Sequence, residues 1–287
     1  MWYIGAHVSA AGGVEKSIIR AHKLGATAFS FFLKNQRQWK NTLLNETKIN
    51  LFHKFCKLYG YSSNQILPHG NYLMNLGNPD PDMRQKSCAA LIDELLSCEK
   101  LKLSMLNIHP GSHLKKITEK SCLNNIIYCI NKALSKTNNV TIVLENTAGQ
   151  GSSVGYCFEH LAYIIRYIED KSRIGVCLDS CHLFSAGYDI GNFSNFLNIF
   201  KHFNNIIGIN YLCGIHLNDS IGALHSRLDR HQNLGYGQIN KEAFSWFMQS
   251  IQFQKIPIIL ETKNMNLWVH EIKWLYKKSL NNQFNII

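Results

Sequence analysis

Short, β-rich apolar runs recur along the chain, each followed by a longer stretch whose apolar positions return every three or four residues. The runs stand at 3–9 (YIGAHVS), 26–34, 65–70, 104–111, 140–147, 173–180, 211–219 and 256–262. The longer periodicity is strong at 88–101, 157–171 and 270–280, the spacing of helices that bury one face. Strands alternating with helices in this number predict an α/β fold of the (β/α)8 TIM-barrel class. A doubly wound open sheet rarely reaches eight such units, and no GxGxxG follows the first strand. Only 5 prolines occur and no Gly/Ser-rich linker divides the chain, so a single domain over 1–287 is expected.

The predicted strands are apolar until their last residues and then turn polar. Six consecutive ends carry His69, His109, Glu145, Asp179 with His182 just beyond, His216 and Glu261, and the loop after the seventh strand adds Asp229 and His231. A barrel gathers all these ends on its C-terminal rim, where barrel enzymes keep their active sites. One such residue is ordinarily a cap or a hydrogen-bonded polar group. Six in a row are not, and crowded carboxylates repel one another unless cations lie between them. Imidazole and carboxylate without thiolate suit Zn²⁺, with Mn²⁺ or Fe as lesser options. A catalytic zinc takes about three protein ligands, so these nine side chains suffice for three ions, particularly if one carboxylate bridges. Asp229 and His231, spaced two apart in an extended loop, are placed to chelate one ion together. His182, expected in the turn leaving its strand, is placed to complete that site.

Composition narrows the partner. Hydrophobic residues make up 46% and charged residues 17%, enough for a large core. The net charge of +11 favours a polyanion, nucleic acid or an anionic membrane surface, although the Asn-, Ile- and Lys-rich background accounts for part of it. The 9 cysteines include no CxxC pair. They read as reduced, buried packing residues, Cys177 and Cys181 among them, in a reducing compartment. The N-terminal residues run directly into a strand pattern, and no apolar stretch reaches membrane-span length; a cytoplasmic protein is expected. Of the other histidines, His7 and His113 are candidates to support the ligands and His225 competes as one, while His22, His53, His160, His202 and His270 fall in helical patterns.

The stretches GAHVSAAGG, KNQRQW, ILPH, NIHPGSH, ENTAGQG, GVCLDSCH, GIHLND, DRHQNLGYGQI and ILET together resemble endonuclease IV, the zinc-dependent apurinic/apyrimidinic DNA-repair endonuclease family. The resemblance covers nearly the whole chain in order. It implies a barrel with three zinc ions. His69 and His109 would hold the first with Glu145, which bridges to a second bound by Asp179, His216 and Glu261. His182, Asp229 and His231 would hold the third, and Glu145 and Glu261 would be the catalytic carboxylates. The implied activity is hydrolysis of duplex DNA 5′ to an abasic site, with a hydroxide shared by two zincs as nucleophile, leaving a 3′-hydroxyl and a 5′-deoxyribose phosphate. Zn²⁺ is the expected cofactor, with Mn²⁺ as a substitute, and the protein is expected to act as a monomer without an obligate protein partner.

The same resemblance implies that Arg37 enters the base stack of the bound duplex while Tyr72 and Leu73 fill the gap. Lys34 and Arg230 are the candidate phosphate contacts on the rim. Two departures from the family pattern are Tyr236, where bacterial members commonly carry an acidic residue, and the additional His225. The alternative is a metal-dependent sugar isomerase or epimerase on the same barrel. A DNA-binding module with structural zinc is disfavoured, since such sites are usually closed and rich in cysteine.

Overall fold

The structure, a computed structural model, describes residues 1–34, 36, 39 and 44–287. Seven parallel strands form the main sheet: β1 (Tyr3–His7), β2 (Ala28–Ser30), β3 (Met105–Ile108), β5 (Thr141–Glu145), β7 (Ile174–Asp179), β8 (Leu212–His216) and β11 (Pro257–Leu260). They lie in the order β2-β1-β11-β8-β7-β5-β3. Two small antiparallel pairs stand beyond the strand ends: β4 (Gly111–Ser112) with β6 (Ser153–Val154), and β9 (Asp219–Ser220) with β10 (His231–Gln232).

The predicted strand at 65–70 is not a regular strand, yet it closes the barrel. Leu67 and His69 donate to the carbonyls of Phe29 and Phe31 beside β2, at 3.0 and 2.9 Å. On the other side, Asn107 donates to Pro68 and Gly70 donates to Asn107, both at 2.8 Å. Pro68 has no N–H to give, so the ladder toward β3 lacks a donor at its centre and shrinks to the single bridge between His69 and Asn107. The other strands are shorter than the sequence pattern suggested: Glu145, Asp179 and His216 are the last residues of β5, β7 and β8, and His109 and Glu261 lie just past the ends of β3 and β11.

Helices wrap the outside: α1 (Glu15–Lys23), α2 (Glu46–Tyr59), α3 (Pro81–Lys100), α4 (Glu119–Leu134), α5 (Phe158–Tyr167), α6 (Ser180–Ala186), α7 (Phe193–Ile206), α8 (Lys241–Gln249) and α9 (Trp268–Ser279). Their local signals are ordinary. Asp80 caps α3 by accepting from Asp82 and Met83, with Pro81 in the first turn. In α4 the buried Cys122, Ile126, Cys129 and Ala133 form one stripe, laid against the barrel. No helix among the described residues is long and apolar enough to cross a membrane.

Inside the barrel the residues two positions before the polar ends form a plug. Leu67, Met105, Val143 and Cys177 pack together there, with Cys213 beside them. Side chains alternate along a strand, so this apolar layer puts His69, Asn107, Glu145 and Asp179 one layer higher, at the rim. Gly214 completes the plug, because a Cβ there would lie 2.6 Å from the Leu67 side chain.

Candidate metal centre

All nine sequence-predicted ligands come together above the plug. Their donor atoms fall into three sets, each with members within 4.8 Å of one another: His69, His109 and Glu145; Glu145, Asp179, His216 and Glu261; and His182, Asp229 and His231. Glu145 is common to the first two. Its Oε2 lies 3.3 Å from Nε2 of both His69 and His109, and its Oε1 lies 3.1 Å from His216 Nδ1. Glu145, Asp179 and His216 are fully buried.

His182 is not in a turn, as the sequence reading had it. Strand β7 passes without a loop into α6, and Asp179 is both the last strand residue and the helix cap, its Oδ1 accepting from His182 N at 2.8 Å. The helical geometry swings the His182 ring away from Asp179 and toward the loop after β8, with its Nε2 3.1 Å from Asp229 Oδ1.

The hydrogen bonds behind the rings decide which nitrogen faces inward. His69 Nδ1 lies 2.7 Å from the Gly70 carbonyl and His182 Nδ1 lies 2.9 Å from the Asn146 carbonyl. A carbonyl only accepts, so Nδ1 carries the proton in both rings and Nε2 keeps its lone pair. Those lone pairs point at carboxylate oxygens of Glu145 and Asp229. Nε2 of His231 is likewise buried without a hydrogen-bond donor, 3.5 Å from both Asp179 Oδ2 and Asp229 Oδ1. Acceptor facing acceptor at such distances is repulsive unless a proton or a cation lies between. The residues therefore fit a metal centre.

The electrostatics carry the same strain. Burial opposes charge at every one of these groups. Nevertheless Glu145 is held well below the usual carboxylate range by His216 and His109, and Glu261 by His216 and His7. His216 is pushed well above the ordinary imidazole value by Glu145 and Glu261, and His182 by Asp179 and Asp229. In the bare protein the rings would hold protons where metal ions belong.

A second layer of asparagines was not anticipated. Asn107 Nδ2 donates to Glu145 Oε2 at 2.5 Å. Asn146 Oδ1 accepts from Asp179 N, and Asn218 links Asp179 to Glu261 by donating to Asp179 Oδ2 and accepting from Glu261 N, each at 2.7 Å. Among the candidates for support, His7 pairs with Glu261 Oε1 at 2.6 Å. His113 accepts from Lys115 N in its own loop, and His225 is exposed, lies against Gly187 and joins none of the donor sets.

Cys181 lies near Asp179 and His231, but both already belong to other sets, and burial pushes its thiol up to about 12. Burial likewise raises Cys177 to about 11 within the plug. Neutral, buried thiols agree with packing, and all nine cysteines are unpaired.

The centre opens into a cleft of about 540 Å³ whose walls include Tyr72, Arg230, Lys263 and Ile221. The half-exposed Tyr72 ring packs on Phe32, His69 and His109, with centroids 5.0, 5.3 and 5.8 Å away. Leu73 follows it in the same loop, its amide held by Asn71 Oδ1 at 2.8 Å. Arg230 is exposed on the cleft, as expected of a phosphate contact. Lys34 is not: its ammonium is tied to Asp93 and its side chain is largely covered. Lys263, which sequence reading passed over, stands free on the cleft instead, in no ion pair among the described residues. Arg37 lies outside the described residues.

Residues 18–278 match the family of Xylose isomerase-like TIM barrels. The chain is 54% identical to "Probable endonuclease 4" of Buchnera aphidicola subsp. Acyrthosiphon pisum (strain APS), over 96% of this chain and 98% of that one. The chain belongs to the endonuclease 4 family. Endonuclease IV from Thermus thermophilus superposes with a TM-score of 0.84 at 29% identity, covering 97% of this chain and 98% of that one. A D-tagatose 3-epimerase-like protein, at 18% identity and a TM-score of 0.73 over 96% of each chain, shares the fold with this endonuclease 4 relative. The family assignment agrees with the fold expected from the sequence pattern.

Proposed function

We propose that the protein is a metal-dependent endonuclease that cleaves duplex DNA on the 5′ side of abasic sites, leaving a 3′-hydroxyl and a 5′-deoxyribose phosphate. The observation that carries the reading is the set of imidazole lone pairs aimed at the carboxylates of Glu145, Asp179 and Asp229, which calls for several cations in one open cleft. His69, His109 and Glu145 would hold one ion. Glu145, Asp179, His216 and Glu261 would hold a second, and His182, Asp229 and His231 a third. When bound, three zinc ions would neutralise a phosphodiester and bring the pKa of water down to about 7.

The chain's own residues do the rest. The carbonyls of Gly70 and Asn146 fix the tautomers of His69 and His182, and Asn107 and Asn218 orient the carboxylates of Glu145 and Asp179. Tyr72 lines the cleft beside the first set, and it is proposed to fill, with Leu73 next to it in the chain, the gap left by an extrahelical nucleotide; a missing base lowers the energy needed to turn that nucleotide out. Arg37 is proposed to enter the stack, and Arg230 to contact phosphate without reading sequence. The protein is proposed to work as a monomer.

The test is cleavage of a duplex carrying one abasic site, by the chelator-stripped and zinc-restored protein, with metal content measured in parallel. Incision restricted to the restored protein, at the abasic position, is the expected result. No incision, with turnover of a ketose in a parallel panel, would transfer the protein to the sugar-epimerase reading.

A further inference from the structure

Two buried carboxylates stand outside the three donor sets and grip the same loop. Asp219 is fully buried at the start of β9 and accepts four backbone N–H groups: Ser220 at 2.7 Å, Gly237 at 2.8 Å, Gly235 at 2.9 Å and Ile239 at 3.0 Å. Glu271, on α9, accepts from Leu234 N at 2.8 Å, from Thr262 Oγ1 at 2.8 Å, and from Asn233 Nδ2 at 3.1 Å. The amides of Leu234, Gly235, Gly237 and Ile239 thus run into one acid or the other, while those of Tyr236 and Gln238 donate to the carbonyls of Asn233 and Ser220 at 2.9 and 2.7 Å. The glycines in this stretch follow from the grip. Gly235 has φ of +80°, and a Cβ on Gly237 would lie 2.4 Å from Asp219 Oδ1 and 2.3 Å from the Ser220 carbonyl.

What the loop carries is the third donor set. Ser220 pairs with His231 across β9 and β10, and Ile221 N donates to the Arg230 carbonyl at 2.9 Å. Asn233, two residues after His231, and Thr262, one residue after Glu261, meet on the Glu271 carboxylate. Asp229 and His231 have no long element of their own beneath them. Besides the two acids and these short pairings, single contacts hold it: Asp229 N donates to Gln150 Oε1 at 3.0 Å, His231 Nδ1 lies 3.3 Å from the Glu261 carbonyl, and Asn264 N donates to Asn233 Oδ1 at 2.9 Å.

We propose that Asp219 and Glu271 are positioning residues that hold Asp229 and His231 in metal-binding geometry, an inference that rests on the metal-dependent reading above. Neither acid is a ligand. Each acts by removing conformations of loop 229–239 in which the third set is splayed.

The test uses the full chain, stripped with chelator, as wild type, Asp219→Asn and Glu271→Gln, with His231→Ala to mark which bound equivalent belongs to the third set. Zinc is titrated against a chromophoric competitor, and amide exchange is followed by segment in the stripped protein. In both carboxylate variants, exchange over 229–239 is expected to quicken about tenfold while 66–70, 105–109 and 141–145 keep wild-type rates. The equivalent lost in His231→Ala should bind about 10–100-fold more weakly, the usual effect of removing support behind a ligand, with the others unchanged. Wild-type protection across 229–239, or equal loosening of every zinc with faster exchange throughout, overturns the proposal. Should the wild type take up no third zinc, the three-ion reading fails, and the exchange data still decide whether the two acids hold the loop. If Asp219→Asn does not fold, Glu271→Gln carries the test, since it removes charge at one end of the loop only.

Discussion

Glu145 meets four imidazoles: His69 and His109 through one oxygen, His182 and His216 through the other, all within 3.3 Å. An amide in its place is neutral and cannot balance two cations. Glu145→Gln is expected to lower cleavage of abasic duplex by at least about a hundredfold, the upper end for disturbing a metal site, with the far-UV spectrum unchanged. Activity within tenfold of wild type would remove Glu145 from the bridging role. For Cys177→Ala and Cys181→Ala the expectation is a loss of about 1 kcal/mol each, as for small core truncations, with zinc content unaltered. Loss of a zinc equivalent would instead make either thiol a ligand. The nine donors were legible because period-two alternation and a polar residue at each strand end point to a single rim. Asn107, Asn146 and Asn218 were not, since asparagine is common at turns and carries neither charge nor ligand character to mark it.

At the level of elements, the seven long strands could be read from apolar runs, but the stave at 66–70 depends on a missing proline donor that periodicity does not register. Helix α6 escaped notice because its cap is itself a strand residue, and the Asp179–His182 spacing of a capped first turn was the available sign. The loop after the closing stave is held from behind by α3. Glu94, buried there, accepts from Asn71 N at 3.2 Å, and burial pushes its carboxyl up from 4.5 to about 7 against the pull of Lys34. A carboxyl raised on folding contributes stability in full below its unfolded value and loses it as pH rises through about 7. Glu94→Gln keeps an acceptor for Asn71 and removes the titration. Its melting temperature should therefore match wild type near pH 4 and exceed it at pH 8, by up to about 3 kcal/mol in stability at roughly 1.4 kcal/mol per pH unit. Parallel melting curves across that range would show that Glu94 is already ionised in the fold at low pH.

On the scale of the whole molecule, the formal charge is +11 although Glu145, Asp179, Asp229 and Glu261 gather in the centre, so basic side chains on the cleft walls are the places to test attraction for a polyanion. Arg230 and Lys263 both line the cleft. Arg230→Ala and Lys263→Ala should each reduce the slope of log affinity against log salt by about 0.9, the value for one phosphate contact on duplex DNA, without changing zinc content. A slope equal to wild type would place that side chain away from the backbone. The sequence pointed to a polyanion but not to which cations meet it: Lys34 and Lys263 look alike in the sequence, and only the neighbouring Asp93 removes the first from the surface available to DNA.

The pairing of β1 with β11 has a consequence for how the protein is made. β1 waits in the sheet for β11, with residues 3–6 matched one to one to residues 257–260. While the ribosome adds the residues between them, one edge of β1 stays open. At about 5–20 residues per second that interval is on the order of 10–50 s. An unpaired strand edge recruits other chains, so the open edge of β1 is a site for pairing with other chains until residues 257–260 arrive. Glu261 and its partner His7 also meet only when β11 docks, so a chain stopped short of Pro257 lacks the pairing that brings them together, whatever other donors it already contains.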